Sequence, residues 1–125
     1  MRVLLLLCLL VPAAGMAQTR ADMQCKAAGK DLIYNCTIRL ARADQPVNGA
    51  QLTVGATMPS MPDEHNLKPV KARPGRGPGE YLVRLDLDMQ GEWEVKLRLS
   101  APVREQVTLH YEFDERGGRP IRRHK

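Results

Sequence analysis

Apolar residues along most of this chain recur at every second position, the period of a half-buried strand and not of a helix. Leu32, Tyr34, Cys36, Ile38 and Leu40 alternate with Ile33, Asn35, Thr37 and Arg39. Leu52, Val54 and Ala56 share one parity, as do Tyr81, Val83, Leu85 and Leu87. Trp93, Val95, Leu97 and Leu99 repeat the pattern, and Val107, Leu109, Tyr111 and Phe113 close it. The opposite parity carries Arg84, Asp86, Glu94, Lys96, Arg98, Thr108 and His110, so these strands are expected to keep one face dry and one wet. Such strict alternation favours an antiparallel sheet.

Turn residues fall between the strands: Gly29-Lys30, Pro46-Val47-Asn48-Gly49, Pro74 through Gly79, Gln90-Gly91 and Ser100-Ala101-Pro102. Further strands near Met23 to Lys26 and Leu67 to Ala72 bring the expected number to about seven. Short alternating strands at this spacing predict an all-β chain, an immunoglobulin-like antiparallel β-sandwich, with an open barrel as the alternative.

The sandwich is expected to be preceded by a signal peptide. Arg2 is followed by an apolar run from Val3 to Val11 and then by Pro12-Ala13-Ala14-Gly15-Met16-Ala17, the order of a secretory signal with cleavage after Ala17. A retained anchor would need roughly 20 apolar residues, and Pro12 interrupts this run too early. The reading therefore divides the chain into a signal peptide at 1–17, a β-sandwich domain at 18–114 and a basic flexible tail at 115–125, where no apolar period survives. Cys8 leaves with the signal. Cys25 and Cys36 remain, an even pair in an oxidising compartment, and a turn at Gly29 to Asp31 would set them side by side as a structural disulfide. The net charge of +5 is modest and scattered, which fits solubility better than nucleic-acid binding; membrane contact by the basic tail is not expected either.

One segment is explained by neither period: Thr57-Met58-Pro59-Ser60-Met61-Pro62-Asp63-Glu64-His65-Asn66. Pro59 and Pro62 exclude a helix interior, and fully extended the two methionines would stand about 9 Å apart. A four-residue turn with Pro59 at its second position would bring them together. Thioethers and an imidazole form a soft, neutral donor set, suited to Cu(I) or Ag(I) and poorly suited to Zn(II), Ca(II) or Mg(II). Register adds Met89: if Leu87 and Trp93 pair across a hairpin, Met89-Gln90-Gly91 is the smallest odd loop, with Gly91 at the left-handed position. Alternating strand directions then place Met58, Met61, His65 and Met89 at one rim, with Trp93 as an aromatic wall or as buried core. Against this stands the plain reading of methionine as gap filler and of a loop histidine as solvated.

Met58-Pro59-Ser60-Met61, His65, Gly79-Glu80-Tyr81 and Met89-Gln90-Gly91-Glu92-Trp93 resemble the YtkA-like and FixH-like domains over about Asn48 to Val95. The resemblance implies a small extracytoplasmic immunoglobulin-like domain linked to copper handling or heavy-metal export, with these methionines and the histidine as ligands. FixH-like proteins retain a membrane helix and are associated with cation-pump and oxidase assembly, and no such helix is visible here after Ala17.

The expected function is a periplasmic Cu(I) or Ag(I) binding or metallochaperone domain using Met58, Met61, His65 and Met89. Its partners would be the metal ion and a membrane transporter or copper-handling protein. The alternative is a metal-free interaction module whose proline-rich loop contacts a membrane transporter or oxidase-assembly complex. Enzyme activity is not expected, since no Gly-x-Ser-x-Gly elbow, no His-Glu-x-x-His and no nucleophile beside a base occur.

Overall fold

In the computed structural model, residues 17–121 are described. The expected signal peptide, apart from Ala17, lies outside these residues, as do 122–125 of the expected tail. All seven anticipated strands form, and three short ones join them, giving ten. In chain order they are β1 (Arg20–Ala27), β2 (Ile33–Arg42), β3 (Gln45–Pro46), β4 (Gln51–Thr57), β5 (Asn66–Lys71), β6 (Arg73–Pro74), β7 (Glu80–Asp86), β8 (Gly91–Ala101), β9 (Glu105–Phe113) and β10 (Gly117–Pro120).

Every pairing among them is antiparallel, in the single order β5-β4-β8-β9-β10-β1-β2-β7-β6, with β3 on β2. The sheet curls over its apolar face into a nearly closed barrel or sandwich. Ala72 carries the crossing between its two edges. Its N–H donates to Leu52 C=O at 2.9 Å, on the β4 side, while the next residue, Arg73, already pairs with Leu82 of β7.

Burial follows the alternation that the sequence displays. Ile38, Val54, Leu85, Val95 and Leu97 are wholly buried, and Trp93 and Tyr34 nearly so. Removing such side chains from water contributes about 1.5–3 kcal/mol each, which makes this parity the main source of cohesion. The tyrosine hydroxyls at its margins all find carbonyls: Tyr81 Oη donates to Val47 and Tyr111 Oη to Met23, each at 2.6 Å, and Tyr34 Oη donates to Asp114 at 2.6 Å. Burial raises the Tyr34 and Tyr111 pKa values first of all, and nearby carboxylates add to the effect, Asp114 and Glu115 at Tyr34 and Asp22 at Tyr111. Cys25 and Cys36 stand directly opposite each other on β1 and β2 and are joined as a disulfide, as expected.

Two expectations need correction. Residues 117–120 are not a flexible tail: β10 lies between β9 and β1 and joins the two halves of the sheet. Apolar periodicity cannot reveal such a strand, because its first two residues have no side chain. A Cβ on Gly117 would collide with the Cys25 carbonyl, and one on Gly118 would sit 2.5 Å from the Phe113 ring. Second, β7 and β8 form no hairpin. β7 pairs with β2 and β6, and β8 with β4 and β9, so Asp88 to Gln90 carry the chain from one side of the barrel to the other. Leu87 and Trp93 share the core without being register partners.

Far from that connection, the start of β1 is held by side chains. Thr19 donates to Glu105 through its N–H at 2.8 Å and its Oγ1 at 2.5 Å, and Arg42 Nη2 reaches Glu105 Oε2 at 3.0 Å. The Thr19 hydroxyl is the chief reason that the Glu105 carboxyl titrates below its ordinary range; the Thr19 amide and Arg42 act in the same direction against partial burial.

Candidate functional site

The loop from Met58 to His65 is pinned by its own backbone. Met61 N–H donates to Met58 C=O at 3.1 Å, closing the expected turn around Pro59, and Met58 N–H donates to His65 C=O at 3.1 Å. His65 N–H returns to Met61 C=O at 3.1 Å. Both prolines fit because the donors they lack are not needed in this pattern. Met58, Met61 and His65 are thereby bound into one short unit in which each backbone touches the next.

That unit meets the connection from β7 to β8. Met58 Cε lies over Gly91, 3.1 Å from where a Cβ would stand, and Gly91 adopts φ 129°, a conformation that L side chains rarely take. His65 Nδ1 lies 2.9 Å from Asp88 Oδ1. This is a close ion-pair distance, yet the geometry does not make a hydrogen bond, and Nδ1 is otherwise buried without a partner. Trp93 Nε1 donates to Met89 C=O at 3.1 Å, tying the connection to the core.

The two connections that carry the four sequence-predicted residues therefore meet at one end of the barrel, although the residues are not equivalent. Met58 is only 4% exposed and forms the floor, while Met61 is half-buried against the core. The His65 side chain is 21% exposed, and Met89, at 39%, stands out on the rim. Trp93, at 1%, is core and faces no ligand. Asp88 was not legible as a site residue: in the sequence it is one acid among 14 Asp and Glu, and only the folded chain sets it against His65.

With Nδ1 buried against Asp88, any contact this imidazole made to a metal would fall to Nε2. Among the described residues, no group of three or more His, Cys, Asp or Glu is placed to hold a metal ion. Any ion held at this rim would depend on thioether sulfur, which narrows the choice to soft cations.

Fold and rim together define a class: a small disulfide-pinned all-β domain whose methionine- and histidine-bearing loop meets a second connection at one end. The YtkA-like family model matches residues 22–98, more than half of the chain, and the chain belongs to the YtkA-like family. The match extends beyond the span from Asn48 to Val95 and takes in the disulfide hairpin as well as Met58, Met61, His65 and Met89. No curated protein and no solved structure matches the chain.

Proposed function

We propose that this domain works outside the cytoplasm as a binding or carrier domain for Cu(I) or Ag(I), with Met61, His65 and Met89 as donors and Met58 closing the site from beneath. The observation that carries the reading is the contact between two connections far apart in sequence, His65 against Asp88 and Met58 against Gly91. Thioethers are neutral and soft, so they favour a monovalent soft cation over the harder divalent ions. They also persist in an oxidising compartment, where this chain's described cysteines are already committed to a disulfide. Export to the periplasm is supported by that disulfide together with the family. The proposal assigns no catalytic step to the domain; its partners would be the cation and the transporter or copper-handling protein that exchanges it.

The test is a Cu(I) titration against a competing chelator under reducing conditions. Near-stoichiometric binding is expected, and Met61→Leu with Met89→Leu should weaken it by more than the roughly 10–100-fold that loss of an outer-shell partner costs. Unchanged affinity in the double variant overturns the reading. A second reading is favoured by the loop's own hydrogen bonds, which hold the exposed Pro59, Ser60 and Pro62 in a fixed shape. In that case the loop is a metal-free contact surface, and a membrane partner would be retained from chelator-treated extracts with no copper bound.

A further inference from the structure

The outward face of β1, β2 and β7 carries a second feature, separate from the rim. Pairing register aligns Lys26, Asn35 and Arg84 in one row across these strands, and Gln24, Thr37, Leu82 and Arg73 in the next. Lys71 stands at the end of β5, beside the crossing at Ala72. Two depressions, of about 560 and 490 Å³, share Asn35 and Thr37 and so form one trough over this face.

Lys26, Lys71, Arg73 and Arg84 are exposed, and none of them makes an ion pair with a described residue. Three acids share this face and are outnumbered by its cations: Glu80, which lines the trough and lies 3.8 Å from Arg39, Asp22, opposite Arg39 in the neighbouring row, and Asp86, two residues past Arg84. The outward face of β8 and β9 is different, because Glu92, Glu94 and Glu112 offset Lys96 and Arg98 there. Positive charge is thus gathered on one face and balanced on the other. In the middle of the trough, Gln24 and Asn35 each offer a donor and an acceptor and Thr37 a hydroxyl, the complement of peptide amides.

We infer that this trough docks an extended acidic segment of a partner protein, carboxylates toward Lys26, Arg84, Arg73 and Lys71 and backbone amides toward Gln24, Asn35 and Thr37. A second copy of the chain is a poor occupant, since two such faces would set like charges against each other. A bilayer is a flat partner with no amides at headgroup level to meet the neutral centre of a trough.

The experiment measures fluorescence anisotropy of a labelled peptide of alternating Glu and Thr with the mature protein at low ionic strength, about 50 mM, where steering by charge is strong. Saturable binding is expected, weakened about tenfold or more by Arg73→Glu with Arg84→Glu. The same reversal on the other face, Lys96→Glu with Arg98→Glu, should leave it unchanged, as should Met61→Leu with Met89→Leu, which separates this site from the metal reading. Arg73→Gln with Arg84→Gln should give a smaller loss, and near-UV circular dichroism checks that each variant is folded. The proposal is overturned if no saturable binding is seen, if reversal on either face weakens binding equally, or if vesicles containing phosphatidylglycerol bind the protein and the peptide does not.

Discussion

The clamp that holds the start of β1 and the rim that gathers the methionines sit at opposite ends of the same strands. β2 runs from Ile33, opposite Asp86 near the rim, to Arg42 at the clamp. At the clamp, Thr19, Arg42 and Glu105 satisfy one another with short charge-assisted bonds, so that end is finished as a structure. At the rim the polar groups are left incomplete: His65 Nδ1 faces a carboxylate without bonding it, and Met89 projects outward. The clamp thus closes on itself where nothing need bind, and the rim keeps soft donors beside an unpaired imidazole nitrogen.

The largest effect expected from this contrast concerns Met58. Its truncation, Met58→Ala, should cost about 2–5 kcal/mol in urea unfolding, because a buried side chain leaves a cavity. Met89→Ala should stay within about 0.5 kcal/mol, as an exposed substitution does. Equal losses would show that the rim methionines are all core and would break the distinction between floor and rim.

The next effect is at the clamp. Glu105→Gln should cost about 1–3 kcal/mol, the range for losing one partner of a buried or charge-assisted bond. The sign in pH follows from its lowered pKa in the folded chain. The clamp's contribution is fully present above the ordinary glutamate pKa of about 4.3 and is lost as pH falls through the lower folded value. Thermal unfolding of the wild type against Glu105→Gln should therefore show a gap at neutral pH that closes under acid, and a gap that is constant across that range would show that the Glu105 charge does not hold the clamp.

The smallest effect is expected at Asp88, whose side chain is 59% exposed. Asp88→Asn should change stability by less than about 0.5 kcal/mol. A loss in urea unfolding comparable with that at Glu105 would show that the rim is closed by its charged pair as the clamp is.

Much of the fold was visible in the chain because alternation states directly which residues face inward. That is how seven strands were legible; the disulfide came from an even cysteine pair, and the turn at Met58 to Met61 from Pro59 at its second position. Alternation does not state which strands pair. The β7–β8 hairpin was inferred from parity alone and does not exist, yet Met89 still reaches the rim, since crossing the barrel at that end brings it there as well. β3 and β6 are two-residue pieces that include Pro46 and Pro74, and β10 opens on two glycines, so none of them has a period to detect. Asp88 and the cationic trough were hidden for a related reason: both arise from residues far apart in sequence that only the register assembles.

The position of β10 bears on when the domain can be completed. A chain that emerges N-terminus first can form the β1–β2 hairpin and its disulfide early, whereas β1 meets its other neighbour only when residues 117–120 arrive. The last strand made is inserted beside the first, so closure waits on the longest sequence separation in the sheet, and such long loop closures are slow. Until then the sheet keeps an unsatisfied seam between β9 and β1 and cannot close.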